Sequence, residues 1–372
     1  MHLMRKVIRI FFIVLNALIA CTLLMSSIAG LVPPSKAVVI SLLSYAFFPL
    51  VIINALCVLL WLFFKRWEFL ISLTVILLRC GMIPLFIQLG GNEQPPRSEQ
   101  RSAAEELKVM SYNLHGFNGQ TQKSENRERN ASAFLDVVRS EAPDMICAQE
   151  MANIKGFTVS DSLKRLGYTY QYSAVQRKDN QPFGATIFSR CPMEYVQTID
   201  NSSRKIYADI KKDEFHVRIV CVHMSSYFFG TAHQDVIQDI KHNDIDKTHT
   251  RRLFEKVKSN VLNHEQEWNE DISPVISESP YPIIVAGDFN DTPASHLYYK
   301  TSRKLKDAYV EQGSGMSITY NGSFPTYRID YIFHSDQLHT LAYKRLKSNF
   351  SDHNGIVAVF ELERKQLKRN EQ

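Results

Sequence analysis

Two uncharged apolar runs, residues 10–32 and 37–64, constrain this chain more than any other feature. Each exceeds the roughly 20 residues that a helix needs to cross a bilayer, and the first is longer than the apolar core of a cleaved signal peptide. A third run, residues 69–89, has thirteen Leu, Ile, Val and Phe residues and carries Arg79 near its middle. On an insertion scale those residues contribute about −0.3 to −0.6 kcal/mol each, against roughly +2.5 to +3.5 for arginine. The sum favours insertion, although Gly81, Pro84 and Gln88 erode it. The expectation is a three-span membrane anchor over residues 1–89, with spans at about 10–32, 37–64 and 69–89.

The flanks give its orientation. Arg5, Lys6 and Arg9 precede the first run, and Lys65 and Arg66 separate the second from the third. Only Lys36 lies between the first two. The positive-inside rule places the N terminus in the cytoplasm, and the expected location is an inner or cytoplasmic membrane. Three spans leave the rest of the chain outside the cytoplasm; two leave it inside. Residues 1–90 carry seven Lys or Arg and one Asp or Glu, a net +6 within a whole-chain +5. The remainder is therefore near −1, a balance that argues against a dedicated nucleic-acid binder. The basic runs Arg251-Arg252 and 364–369 read as solvated helix faces. Cys147, Cys191 and Cys221 have no metal-ligand spacing.

Residues 90–106, with Pro95-Pro96, read as a linker. From Leu107 strands and helices alternate. Strands are expected at 107–112, 144–148, 184–188, 215–222, 283–286, 328–333 and 355–362, and helices at 126–141, 160–166 and 249–268. The polar stretch 227–282 reads as a long insertion beside the site. A single α/β domain over residues 107–372 follows.

Several strands end in polar residues of matching chemistry. The first ends in Asn113, the second in Gln149-Glu150, and the strand 215–222 in His223 and Ser225. The run 283–286 ends in Gly287-Asp288-Phe289-Asn290-Asp291, where Asp288 and Asn290, two apart, share a side in extended geometry. Asp330 lies within a strand, and Ser351-Asp352-His353 precedes the last one. Singly, each has a plain structural alternative. Asn113 could be a turn residue, Glu150 a surface charge, His223 a core histidine, and Asp330 a cap or the partner of Arg328. Six such coincidences in one domain point to a site.

In this order the set resembles the endonuclease/exonuclease/phosphatase superfamily of metal-dependent phosphoesterases. The resemblance rests on Ser-Tyr-Asn113, Gln-Glu150, His223-Met-Ser, Gly-Asp288-Phe-Asn290-Asp291, Arg-Ile-Asp330-Tyr-Ile and Ser-Asp352-His353. It implies a four-layer sandwich of two packed mixed β-sheets flanked by helices, with the site at one end of the sheets. It implies Mg²⁺ or Mn²⁺ held by Glu150, with Asp352 supporting it and Asn113 beside it. Asn113 and Asn290 would orient a phosphate oxygen and the attacking water, with Asp288 as the base. His353, held by Asp330, would stabilise the transition state, and His223 would bind phosphate from the other side. His115 occupies a place where some members carry an extra acidic ligand, and stands as a neighbour of the site. Arg328 is open between substrate contact and a structural ion pair.

The expected function is a membrane-tethered, divalent-metal-dependent phosphoester hydrolase using in-line attack by water. Its substrate would be a lipid, a small molecule or a nucleic acid, and no protein partner can be inferred. The alternative is a DNA or RNA nuclease with the same site, for which the aromatic cluster Tyr227-Phe228-Phe229 could stack on bases or dip into a bilayer. A third reading, an inactive binding module, requires a broken site residue, and none is broken.

Overall fold

The computed structural model describes residues 2–95, 105–119, 126–152, 154, 156–174, 176–178, 181–200, 202–226, 247–322 and 326–362. The linker's middle, the aromatic cluster at 227–229 and the basic tail lie outside the described residues. The chain divides into two compact units. One comprises residues 1–86, 227–265 and 292–300; the other comprises 87–226, 266–291 and 301–372.

The first unit is built on helices α1 (His2–Ile28), α2 (Phe47–Phe63) and α3 (Phe69–Arg79), with helix α5 introduced below. Two helical stretches, Leu3–Leu31 and Val38–Phe63, are long and apolar enough to cross a membrane. The third is shorter than its sequence suggested. α3 gives way to a 3₁₀ helix at Cys80–Leu85, and Ile87–Gln88 is a strand paired with Gly315–Met316. The helices carry their polar side chains inward. Asn16, Asn54 and Ser72 are buried, while Leu3, Ile10, Phe11, Leu18, Leu59 and Phe63 are exposed. Ser72 Oγ donates to Asn16 Oδ1 at 2.6 Å, and Asn16 Nδ2 to the Glu68 carbonyl at 3.3 Å.

The second unit contains two six-stranded sheets. In chain order the strands are β1 (Glu106–Asn113), β2 (Met145–Gln149), β3 (Tyr170–Ser173), β4 (Thr186–Ser189), β5 (Met193–Thr198) and β6 (Lys205–Lys212). They continue with β7 (Phe215–His223), β8 (Ile283–Asp288), β9 (Lys306–Asp307), β10 (Asp330–His334), β11 (His339–Leu346) and β12 (Gly355–Glu361). One sheet has the order β11-β12-β1-β2-β4-β3, the other β9-β10-β8-β7-β6-β5. The pairs β1/β2 and β7/β8 are parallel and the rest antiparallel, so both sheets are mixed.

Side-chain alternation sorts each strand into two faces. Leu107, Val109, Met145, Cys147 and Ile187 of one sheet form a single core with Ile206, Ala208, Val217, Ile219, Cys221, Ile284, Ala286 and Ile332 of the other. Met110, Tyr112, Ile146 and Ala148 point the opposite way. They pack against helix α4 (Arg127–Glu141), through Phe134, Leu135 and Val138, and against Val159 and Leu163. α4 stops where Ala142 turns left-handed before Pro143, as the sequence suggested. Helix α5 (Lys247–Glu267) matches the expected 249–268, and Arg251 and Arg252 on it are exposed.

β7 and β8 pair so closely that Gly287 leaves no room for a side chain. It has φ +153°, and a Cβ there would lie 1.9 Å from the Val222 carbonyl oxygen. Gly287→Ala is expected to lower the midpoint of thermal unfolding by at least about 2 °C, since an L-residue forced into such a backbone costs more than about 1 kcal/mol. An unchanged midpoint would contradict this packing.

Candidate active site

Strand parity brings the site together. Asn113 continues the inward face of Leu107, Val109 and Ser111; His223 that of Val217, Ile219 and Cys221. Asp288 follows Ile284 and Ala286, and Asp330 precedes Ile332 on the same face. Register does the rest. His223 pairs with Asp288, and Asp288 with Asp330, so three adjacent strands end at one level. The inter-sheet core therefore closes at this end with polar side chains.

Asp288 sits at the centre. Its Oδ2 accepts from Asn113 Nδ2 at 2.9 Å, and its Oδ1 from the Asn290 backbone N–H at 2.8 Å. Asn113 Oδ1 accepts from the His115 N–H at 3.0 Å, which fixes the amide with its nitrogen toward the carboxylates, 3.5 Å from Glu150 Oε1. His353 lies between two acids. Its Nδ1 is 2.9 Å from Asp330 Oδ2, and its Nε2 is 3.8 Å from Asp288 Oδ2. His223 Nε2 approaches Glu150 Oε1 at 3.5 Å and Asp288 Oδ2 at 3.8 Å. His115 Nδ1 lies 2.8 Å from Asp352 Oδ1, although neither atom makes an aligned hydrogen bond.

The backbone is shaped for these placements. Glu150 and Asn290 are left-handed, at φ +51° and +50°, and so are His115 and Phe117. Such conformations cost energy for residues with side chains and persist where surrounding structure fixes them. Here the Glu150 carbonyl accepts from the Gly116 N–H at 2.9 Å, and the Asn290 side chain donates to the Met224 carbonyl at 3.1 Å. That last bond ties the Asp288 loop to the segment after His223. Ser351 joins the two remaining motifs: its Oγ donates to the Asn113 carbonyl at 2.7 Å and accepts from the His353 N–H at 3.1 Å.

Burial and charge set the protonation states. Burial, reinforced by Asp330, pushes the Asp288 carboxyl up to about 7. Burial also raises Glu150. Burial disfavours a charged His353, yet the carboxylates of Asp330 and Asp288 outweigh it and hold the imidazole well above its usual value. His115 is likewise raised, burial being overcome by Asp352. His223 is the opposite case: burial, then the Arg204 and His353 charges, lower it to about 3, so it is neutral. Glu150, Asp288, Asp330 and Asp352 thus face two imidazoles, His353 and His115, whose cationic forms are favoured, and outnumber them by two carboxyl groups. A hard divalent cation on oxygen donors suits that surplus, and the carboxyl groups of Glu150 and Asp352 are donors of that kind. Asp288, Asp330 and His353 also bring ligand atoms within 4.8 Å of one another. There the Asp330 hydrogen bond occupies His353 Nδ1, which leaves Glu150 and Asp352 as the carboxyl groups that could hold a cation.

All the expected site residues meet in this region, and Arg328 does not join them. It is buried, bonded through its guanidinium to both Asp307 oxygens at 2.6 Å, and stacked on Tyr309 and Tyr331. It is a structural ion pair, and its partner is Asp307 rather than Asp330. Two supports have no sequence signal. Thr319 Oγ1 accepts from the Ile329 and Asp330 N–H groups at 3.0 Å each, and the Tyr320 ring meets His353 edge-on at 5.3 Å. A third is a buried polar cluster. Lys205 is surrounded by Asp200, Glu267 and Asp271 at 3.1–3.3 Å, and Glu267 in turn holds the Ser225 N–H and hydroxyl.

Residues 110–353 match a family described as Endonuclease/Exonuclease/phosphatase family, and residues 8–86 match a domain of unknown function. No curated protein matches the chain. Among solved structures, an endonuclease/exonuclease/phosphatase from Beutenbergia cavernae is similar at 18% identity and a TM-score of 0.50, over 69% of this chain and 72% of that one. The human Nocturnin catalytic domain, solved with bound sulfate, is similar at 20% identity and 0.48, over 73% and 99%. TDP2 from Caenorhabditis elegans is similar at 17% and 0.45, over 69% and 74%.

The carboxyl surplus makes a direct prediction. At a hundredfold excess over its Kd, Mg²⁺ or Mn²⁺ is expected to raise the thermal midpoint by about 5 °C or more, since such binding contributes about 2.7 kcal/mol. Glu150→Gln should abolish most of the shift. A shift that survives in Glu150→Gln would place the cation elsewhere.

Proposed function

Because this chain belongs to the endonuclease/exonuclease/phosphatase family, we propose that it is a membrane-tethered, divalent-metal-dependent phosphoester hydrolase that attacks phosphorus with water. The observation that carries this reading is the run Asn113–Asp288–His353–Asp330, set beside Glu150 at the buried end of the two sheets. Glu150 and Asp352 would hold the metal, with Asn113 beside it; when bound, Mg²⁺ or Mn²⁺ supplies Lewis-acid stabilisation of charge on a phosphoryl oxygen.

The side chains divide the remaining work. Asp288 accepts the proton of the attacking water. Its two oxygens are oriented by Asn113 and Asn290, and its carboxyl, at about 7, is matched to that task near neutral pH. The His353 imidazolium donates Nδ1–H to Asp330, which leaves Nε2–H for a phosphoryl oxygen whose charge grows in the transition state. Neutral His223 offers a hydrogen bond from the opposite side without adding charge. The new P–O bond forms in line with the breaking one; the leaving oxygen departs as an alkoxide that takes a proton from solvent to become an alcohol, and Asp288 returns the proton it accepted to solvent.

Hydrolysis of a chromogenic phosphodiester is expected to stop in excess EDTA and to return with Mg²⁺. His353→Ala should reduce kcat by about 10²–10³-fold or more, the usual loss for one transition-state donor, with the fold intact. Asp288 works only when ionised, so kcat/KM should fall with decreasing pH along a limb at or below about 7. Full activity in EDTA would refute the mechanism.

The membrane tether is supported by the inverted pattern of the first unit, with polar side chains inside and large apolar ones outside. In water such a surface is untenable, whereas in lipid it is the expected arrangement. The third apolar segment supports a third crossing despite its short α-helix. Near its start Glu68 pairs with Arg9, and Ser72 bonds Asn16. At its end Phe86 stacks on Phe47 and Phe48, at 5.4 and 5.3 Å, where α2 begins. It therefore runs alongside α1 in the same direction. Its 11 α-helical and 6 3₁₀ residues extend about 28 Å, close to the hydrocarbon thickness. With the basic flanks in the cytoplasm, the phosphoesterase domain lies outside it. A protease given access to the non-cytoplasmic face of intact cells is expected to digest residues 107–362 without lysis; protection until lysis would reverse the orientation.

A further inference from the structure

The apolar unit contains more than apolar helices: residues 292–300 belong to it, and so does most of α5. They are built onto the connection between α1 and α2. His296 Nδ1 lies 2.8 Å from the Gly30 carbonyl, and Thr292 Oγ1 donates to the Ser44 carbonyl at 3.4 Å. Ala294 is buried with Leu23 and Phe47 in one small core. A Cβ on Gly30 would meet the carbonyl oxygens of Ser295 and Ala294 at 3.2 and 3.3 Å. Glu265, in the last turn of α5, receives both the N–H and the hydroxyl of Ser35, at 2.8 and 3.0 Å.

These are contacts of a fitted seat, and a flexible tether would make none of them. They occur at the end of the helices away from Arg5, Lys6, Arg9, Lys65 and Arg66. The seated segment is continuous with catalytic sequence. Thr292 follows Asp291 directly, so Asn290 is two residues, at most about 7 Å, from a residue bonded to the anchor's turn. Glu265 likewise stands two residues before Glu267, which fixes Ser225 just after His223. A fitted seat has no use for a soluble substrate, whereas for a membrane-borne one it fastens chain segments continuous with the site to the apolar unit.

On the phosphoesterase reading above, we propose that the substrate is a phosphoester carried by a lipid in the same bilayer, presented to the site by this seat. The chemistry required is a phosphate one bond from an alkyl-chain-bearing alcohol, with no need to read a nucleobase.

The test holds the reacting group constant and varies only the chain. Full-length protein in phosphatidylcholine proteoliposomes is given hexadecyl para-nitrophenyl phosphate in the vesicles, or ethyl para-nitrophenyl phosphate in solution, both with Mg²⁺. The hexadecyl ester is expected to show kcat/KM about 100-fold or more above the ethyl ester, the usual scale of confinement to a shared surface. Glu265→Ala with His296→Ala, which unseats the segment, should keep the ethyl-ester rate and lose at least about tenfold of the preference. Glu265→Gln, which keeps the packing, should move the same way more weakly. Equal kcat/KM for the two esters, a preference untouched in both variants, or better turnover of a single-stranded DNA oligonucleotide would overturn the lipid inference and leave the hydrolase reading standing. Inertness toward all three substrates would overturn both.

Discussion

Side chains two apart on a strand share a face, and in this sandwich four strands apply that rule at the same end of one core. β1, β7, β8 and β10 each carry apolar residues inward for most of their length and place Asn113, His223, Asp288 and Asp330 at the closing level. A slip of one residue in any of them would turn its site residue outward and break the core as well. Packing energy and catalytic geometry therefore depend on the same register. Gly287 marks how tightly that register is held, since the strand ladder beside the site has no space for a methyl group.

The electrostatics follow from burial. Four carboxyl groups and three imidazoles within one water-poor end cannot all take their ordinary states. The acids favour the cationic forms of His353 and His115; burial, then the Arg204 and His353 charges, keep His223 neutral; Asp288 and Glu150 are left reluctant to ionise. A divalent cation would relieve the remaining surplus, so the imbalance that disfavours the charged acids would also favour a metal there.

Much of this was readable in the sequence, for an identifiable reason. Ile283 to Ala286 is apolar on both faces because β8 is central and has a parallel neighbour, and such a run stopping in Asp-Phe-Asn has few explanations. β6 stayed hidden. Its sequence, Lys-Ile-Tyr-Ala-Asp-Ile-Lys-Lys, looks half solvated, yet Lys205 is buried among three carboxylates and Asp209 is paired with Arg218 at 2.7 Å. Long-range ion pairing of this kind leaves no periodic trace. Thr319 and the Ser35–Glu265 contact were invisible likewise, because each depends on residues brought together only by the fold. The third apolar run misled in length alone: its C-terminal part is 3₁₀ helix and then strand, around Pro84 and Gly81, the residues that weakened it as a span.

On the proposed mechanism one divalent ion sits on the Glu150–Asp352 side, while Asp288, His353 and Asp330 handle the proton. Anomalous scattering from crystals grown with Mn²⁺ tests it most directly. A single strong peak is expected at coordination distance, about 2.0–2.2 Å, from a Glu150 carboxylate oxygen, with the His353–Asp330 hydrogen bond intact. A peak bound instead by Asp288, Asp330 and His353, with that hydrogen bond broken, would contradict it.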